Sequence, residues 1–217
     1  MIRKHSILAL CLLVLMIISG CTKTPTNNNT DNQQPSSQKK TLSAVPKIGD
    51  YFPLKAGSTW TFQGKGNEYA SFERQMEYVK NGFGQVREAN GGTVTSSIYQ
   101  VTDMALTRVY TKGESYDNTN ILDGGFSAND NTVIIQAPLQ KGKSWQSDDN
   151  LKREIVTLAA AVDTPAGQFK NCLHIRMSGP DNVINEYYAK GIGLVKREFI
   201  TGGETISSSL EKYTIVK

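Results

Sequence analysis

The chain has 217 residues, of which 38% are hydrophobic and 8% aromatic. This length and apolar content are enough for one domain with a substantial core. Lys and Arg outnumber Asp and Glu by only 24 to 20, and no basic run or alternation of Arg with aromatic residues occurs. The composition therefore gives no reason to expect nucleic acid or an anionic surface as a partner.

The first 20 residues have the three parts of a secretory signal. Arg3 and Lys4 give a positive start, and an apolar run over residues 7–18 leads to small residues at positions 19 and 20. This run is too short to span about 30 Å of hydrocarbon as a permanent helix. We therefore predict that residues 1–20 are a signal peptide.

The segment Ile18-Ser19-Gly20-Cys21 resembles the lipobox of bacterial lipoproteins. The resemblance implies that the Cys21 thiol is diacylated and that the chain is cut just before it. The lipid bilayer is then a partner through Cys21, and the protein is anchored on the extracytoplasmic side of the cell membrane or the outer membrane. The alternative is an ordinary signal peptide with a chance cysteine at this position.

Residues 21–47 are predicted to be the acylated cysteine followed by a disordered linker. Positions 22–47 contain no aromatic residue and few apolar ones. Such a segment cannot bury enough surface to offset the entropy of ordering. As a flexible coil, this tether would span on the order of 30 Å.

Residues 48–217 are predicted to form an all-β, mainly antiparallel domain, as an incomplete barrel or a sandwich. Apolar and polar residues alternate along short segments that turn residues separate. Residues 150–161 also fit a helical period, but their alternation favours a strand. Arg74 interrupts an apolar parity, which predicts an edge position, and residues 113–131 are predicted to be a long loop. The predicted strands are 58–64, 69–79, 83–88, 93–102, 105–111, 132–137, 152–162, 169–177, 183–189, 194–200 and 205–216.

One pattern occurs twice in the chain. Residues 53–60 and 138–145 share Pro-Leu-x-x-Gly-x-Ser/Thr-Trp, and together they contain both tryptophans. Proline fixes φ, glycine permits a turn, and the tryptophan begins a strand that faces the core. The repeat predicts two similar β halves, and convergent turn chemistry is the alternative.

Cys172 and His174 are the strongest candidates for catalytic residues, because positions i and i+2 of a strand face the same side. Their side chains would stand about 6.5–7 Å apart, which is too far for a nucleophile–base hydrogen bond of about 3 Å. The preferred interpretation places Leu173, Ile175 and Met177 in the core, and Cys172, His174 and Arg176 against another layer or solvent. A thiol enzyme using Cys172 remains an alternative.

Metal and cofactor sites are not predicted. His174 is the only histidine after the signal, no Cys or His cluster has the spacing of metal ligands, and the oxygen-rich segment 117–125 fits no calcium-loop pattern. Tyr187 and Tyr188 would point to opposite faces of one strand, so at least one is exposed or lines a cleft. These two tyrosines are the candidate binding residues.

Residues 163–173 read Asp-Thr-Pro-Ala-Gly-Gln-Phe-Lys-Asn-Cys-Leu, and residues 187–198 read Tyr-Tyr-Ala-Lys-Gly-Ile-Gly-Leu-Val-Lys-Arg-Glu. These motifs resemble those of poorly characterised bacterial secreted proteins and lipoproteins. The resemblance spans residues 50–200. It implies an antiparallel β-domain of unknown function related to the incomplete barrels of lipoprotein carriers, with no catalytic residues to transfer.

The sequence thus predicts a membrane-anchored extracytoplasmic lipoprotein that acts as a binding or envelope accessory module, without catalysis. Its partner could be an envelope protein or an apolar ligand. The first alternative is a carrier of apolar ligands or lipids with a half-barrel cavity, and the second is the thiol enzyme using Cys172.

Replacing Cys21 by alanine should abolish acylation, because no other residue offers a thiol at the cleavage site. Two acyl chains hold a protein stably at about 0.8 kcal/mol per buried CH₂. Mass spectrometry of the mature N-terminus measures the modification. An unmodified N-terminus at any other residue would rule out the lipoprotein anchor.

Overall fold

The computed structural model describes residues 45–217, so the predicted signal peptide and Cys21 lie outside the described residues. Within 45–217, no helix is long and apolar enough to cross a membrane. The only α-helical turn of these residues is α1 (Ile121–Gly124), and a 3₁₀ segment at Ile48–Tyr51 precedes the first strand. The strands are β1 (Thr59–Lys65), β2 (Phe72–Lys80), β3 (Phe83–Ala89), β4 (Val94–Val101), β5 (Ala105–Lys112), β6 (Thr132–Gln136), β7 (Ser144–Gln146), β8 (Lys152–Thr164), β9 (Gly167–Ser178), β10 (Asn182–Ala189), β11 (Gly193–Thr201) and β12 (Glu204–Thr214).

All twelve strands form one antiparallel sheet that curls into a nearly closed barrel. Each strand pairs with its neighbours in sequence, except that β6 does not pair with β7. The first and last strands pair instead, in a ladder that runs from Thr59 opposite Thr214 to Lys65 opposite Ser207. The barrel therefore has one unpaired seam, between β6 and β7.

Side chains close this seam where a ladder is missing. The Trp145 indole N–H donates to the Val133 carbonyl at 3.0 Å, and the Val133 amide donates to the Ser147 hydroxyl at 2.7 Å. Unpaired backbone groups on an edge strand invite pairing with other chains. Both backbone groups of Val133 are satisfied within the described chain, so this part of the edge is protected.

The predicted all-β, antiparallel fold is confirmed, and the architecture is the barrel. Residues 150–161 lie almost entirely in β8, so the strand interpretation of that segment is correct. Strand β7 is absent from the strands predicted by alternation, because its three residues are too few to show a period of two, but the repeat around Trp145 does predict a strand there. The edge position expected for Arg74 is wrong, because β2 lies between β1 and β3 and Arg74 lines the barrel interior.

The two Pro-Leu-x-x-Gly segments form the same turn. Gly57 and Gly142 have φ of 86° and 84°, in the left-handed region that glycine tolerates without strain. The Gly57 amide donates to the Met76 carbonyl at 2.7 Å, and the Gly142 amide donates to the Ile155 carbonyl at 2.8 Å. From the proline onward the repeat in sequence is therefore a repeat in backbone geometry, although the peptide bond before the proline is cis only at Ala137–Pro138.

The strands that follow these turns also correspond. Trp60 lies opposite Arg74 in the β1–β2 pair, and Trp145 lies opposite Arg153 in the β7–β8 pair. Strands β1–β6 thus match β7–β12, and the ladder between β1 and β12 corresponds to the seam between β7 and β6. The two boundaries between the halves differ. Backbone hydrogen bonds join β1 to β12, whereas side-chain hydrogen bonds hold β7 against β6.

The N-terminal segment closes one end of the barrel. Its 3₁₀ residues contact both β5 and β11, and the Asp50 carbonyl accepts from the Gly191 amide at 2.6 Å. Ile48 and Tyr51 are buried in the core. Phe52 packs against Tyr99 with ring centroids 4.9 Å apart, so an aromatic ring lies over the interior from this end.

The long segment 113–131 covers the outer face of the first half. Gln85 points away from the core and is nevertheless 1% exposed. Its amide nitrogen donates to the Thr119 carbonyl at 2.9 Å, and its amide oxygen accepts from the Ile121 amide at 2.8 Å. The predicted loop is therefore fixed to the sheet by hydrogen bonds.

Replacing either tryptophan by alanine should destabilise the fold by about 3–5 kcal/mol, the range for large aromatic cavities. Trp60 is 4% exposed and Trp145 is 8% exposed, and each indole N–H has a backbone acceptor. Urea unfolding followed by circular dichroism measures the loss. Tyr116→Ala, at a side chain 63% exposed, is the control. A loss below about 1 kcal/mol for either tryptophan, the range of a surface change, would contradict its role in the core.

Candidate functional site

A cavity of about 270 Å³ lies inside the barrel. Residues from the N-terminal segment, from β2, β4, β5 and β6, and from β8 to β11 surround it, so both halves build its wall. Part of the wall is apolar and part is charged, which is unusual for a protein interior. The charged residues of the wall are Arg74, Arg108, Arg153, Arg197, Asp149 and Glu186.

Each of the four arginines has its own carboxylate partner. Two pairs bridge neighbouring strands, Arg74 with Glu88 across β2–β3 and Arg197 with Glu186 across β10–β11. The other two use residues that lie near the seam. They are Arg108 with Asp130 and Arg153 with Asp149.

Glu186 is the most deeply buried of these carboxylates. It is 5% exposed, and it accepts from Arg197 Nε at 2.7 Å and from the Tyr188 hydroxyl at 2.5 Å. Burial alone would raise the pKa of Glu186, but the nearby Arg197 charge and these hydrogen bonds outweigh it and hold the pKa below its usual range. The carboxylate is therefore ionised at neutral pH.

Arg74 and Glu88 link the two halves electrostatically. Arg74 Nε donates to Glu88 at 2.6 Å, and the Arg74 guanidinium lies 5.8 Å from the Phe72 ring centre, with Arg197 at 6.0 Å from the same ring. Burial raises the pKa of Glu88, and the charges of Arg74 and Arg197 lower it by more. Glu88 and Arg197 also line a second cavity of about 160 Å³.

The two pairs near the seam hold loop residues against the barrel. Arg108 Nε donates to Asp130 at 2.5 Å, and Asp130 also accepts from the Thr132 amide at the start of β6. Arg153 is 2% exposed and bonds Asp149 through both terminal nitrogens. Its Nε is buried and has no hydrogen-bond partner among the described residues.

Two tyrosines complete the polar part of the wall. Burial raises the pKa of Tyr99, and the Glu88 charge raises it further. Burial and Glu186 likewise raise the pKa of Tyr188 well above its ordinary value. Both hydroxyls therefore stay protonated at neutral pH, and the Tyr188 hydroxyl donates its proton to Glu186.

Of the two predicted binding residues, Tyr188 lines the cavity and Tyr187 does not. Tyr187 lies on the other face of β10, where its ring stacks on His174 at 4.4 Å between centroids. The His174 ring also bonds Asn185 at 2.9 Å. Burial lowers the pKa of His174, with Asn185 opposing the shift, so the ring is neutral at pH 7.

Cys172 lies in the core, as Leu173, Ile175 and Met177 do. It is 0% exposed, and burial raises the pKa of its thiol to about 11. Its register partner on β8 is Ala160, while His174 lies opposite Thr157. A nucleophilic thiolate needs a lowered pKa and access to a substrate, and the surroundings of Cys172 provide neither.

Of the arginines of the cavity, the sequence analysis singled out only Arg74, and it predicted an edge position for it. The sequence does contain a pattern that predicts charged residues in the interior. In this pattern a charged residue has apolar residues two positions before and two positions after it on the same strand, so all three face the same side. Arg74 lies between Phe72 and Met76, and Glu186 lies between Ile184 and Tyr188. Within the described range, no group of three or more His, Cys, Asp or Glu could hold a metal ion.

Acidification should destabilise the protein through Glu186. Because its folded pKa is below the ordinary value of 4.5, its contribution is complete above pH 4.5 and is lost as the pH falls through the folded pKa. Glu186→Gln should cost about 2 kcal/mol at pH 7, since a charged hydrogen bond is removed and Arg197 loses its partner. Urea unfolding at pH 7, 5, 4 and 3 measures both effects.

The gap between wild type and Glu186→Gln should shrink below pH 4.5, where the carboxylate becomes protonated. Glu211→Gln, on the exposed face of β12, is the matched control and should change stability by less than about 0.5 kcal/mol. A gap that stays constant down to pH 3 would contradict a lowered pKa at Glu186.

No protein-family model matches the chain, and no curated protein is significantly similar to it. A solved structure from Bacteroides fragilis, provisionally described as an exported protein with a YmcC-like fold, is 17% identical with a TM-score of 0.47; the match covers 76% of this chain and 98% of that one. A solved structure from Parabacteroides distasonis, provisionally described as a lipoprotein, is 15% identical with a TM-score of 0.44. That match also covers 76% of this chain and 98% of the other. Similarity at this level transfers no function to the chain.

Proposed function

We propose that this protein is a lipid-anchored extracytoplasmic binding protein that holds a small polar ligand in its barrel, without catalysis. The anchor rests on the lipobox around Cys21. The binding role rests on one observation: a cavity of about 270 Å³ whose wall includes four arginines, two carboxylates and two tyrosine hydroxyls.

The charged wall supports a polar ligand because stability alone does not require it. Replacing buried ion pairs by well-packed apolar residues is often neutral or stabilising, so an interior selected only for stability would be filled with aliphatic side chains. Ligand pockets, in contrast, combine apolar walls with a few convergent polar groups. The cavity has this composition.

The lipid-carrier alternative is weaker for the same reason. An apolar ligand placed here would shield Arg74, Arg108 and Arg197 from water without offering hydrogen bonds to the N–H groups that their carboxylate partners leave free. Burying a polar group without a hydrogen bond costs free energy. The apolar residues of the wall could contact a lipid chain. They do not form a continuous apolar tunnel, because charged residues from both halves stand among them.

Thermal unfolding of the mature, acylated protein in detergent tests this proposal. A panel of sugars, amino acids and short organic acids is compared with monopalmitin, a neutral single-chain lipid. A ligand that binds only the folded state stabilises it by about 2.7 kcal/mol at a hundred times its Kd. We expect at least one class of polar compound, and not monopalmitin, to raise the unfolding temperature.

A variant that tests the site is Tyr188→Phe, which removes one hydroxyl from the wall together with its hydrogen bond to Glu186, and it should weaken binding of the same compound. Stabilisation by monopalmitin alone would favour the carrier alternative. A panel in which no polar compound stabilises the protein would refute the proposed binding role.

A further inference from the structure

The cavity wall carries more positive than negative charge. Four guanidinium groups line it, but only two carboxylates do, Asp149 and Glu186. The other two carboxylates, Glu88 and Asp130, bond their arginines but are not part of this wall. A ligand in the cavity therefore meets an excess of hydrogen-bond donors with positive charge.

Arg197 is bonded in a way that leaves donors for a ligand. It bonds Glu186 through Nε at 2.7 Å, and its two terminal nitrogens make no side-chain hydrogen bond with the described residues. Its side chain is 36% exposed, and it lines the cavity. Arg153, also in the wall, has an unpartnered Nε, but this atom is buried and adds no donor within reach of a ligand. The wall has donor capacity that the protein does not use.

The rest of the wall is apolar. It includes the Phe52 ring, which lies against Tyr99, and side chains contributed by β5, β6, β9 and β10. A ligand that fills the cavity therefore needs an apolar body beside its charged group. The aliphatic residues of the wall are Leu106, Ile134, Leu151, Met177 and Ile184.

We propose that the ligand is a small organic carboxylate with a compact apolar body, whose carboxylate is bound by the terminal nitrogens of Arg197. This inference rests on the proposed binding function and names its ligand class. A guanidinium and a carboxylate are both planar, and two parallel N–H···O bonds join them. The hydroxyl of Tyr99 lines the same cavity and adds a neutral polar group beside the arginines, while the Tyr188 proton is already donated to Glu186.

Benzoate and benzamide are the matched probes, because they have the same shape and differ in the charge of one group. Isothermal titration calorimetry on the mature, acylated protein in detergent, at low salt, compares them with inorganic phosphate. We expect benzoate to bind at least tenfold more tightly than either benzamide or phosphate. Added salt should weaken benzoate binding, since a charge pair is screened.

Arg197→Gln should lower benzoate affinity at least tenfold, and Arg197→Lys should restore part of it, because the charge returns without the planar fork. Arg176→Gln, an exposed arginine on β9 outside the cavity, is the control and should leave affinity unchanged. The comparison of benzoate with benzamide uses the wild-type protein, so it remains decisive if Arg197→Gln does not fold.

Equal binding of benzoate and benzamide would overturn the anionic class, and equal binding of phosphate would overturn the need for an apolar body. Binding of benzoate that Arg197→Gln leaves unchanged would overturn the role of Arg197. If benzoate fails while a neutral sugar stabilises the protein, this inference falls and the proposed polar-ligand function stands. If no polar compound binds at all, both fall.

Discussion

The pairing of the first strand with the last is the constraint on which the structure depends. Without the β1–β12 ladder, the two halves would be separate six-stranded sheets, each with two exposed edges. Because of this ladder, only β1 and β12 lie between β2 and β11 in the sheet. Arg74 and Arg197 consequently reach the same Phe72 ring, and the charged network spans both halves. The cavity exists because this long-range pairing encloses it.

The interior that results is a compromise between packing and charge. One core cluster holds most buried apolar residues, including both tryptophans and Cys172. Beside it, four arginine–carboxylate pairs occupy positions where aliphatic residues would serve stability at least as well. Each pair is hydrogen-bonded, so no charge is left without a partner charge. The proposed binding role would give this polar interior a use that stability alone does not.

The two halves show how one turn was used for two purposes. Both Pro-Leu-x-x-Gly turns place a tryptophan opposite an arginine of the next strand. In the first half, the Trp60 indole bonds the Ile192 carbonyl and β1 completes a ladder. In the second half, the Trp145 indole bonds the Val133 carbonyl across the seam instead. The same sequence pattern thus supports a closed boundary and an unpaired one.

Local patterns in the sequence determined the strands, the two tryptophan turns and the division into halves, because period-two alternation and turn chemistry act over a few residues. The lipobox around Cys21 is equally local. Only the tertiary structure decided which side chains lie next to each other across strands. Register shifts from bulges, as at Met76 and Tyr188, change which side chains face each other over the length of a strand. Arg74 meets Glu88 across the adjacent strands β2 and β3. The approach of Arg197 to this pair depends on the β1–β12 ladder, which no short segment of the sequence specifies.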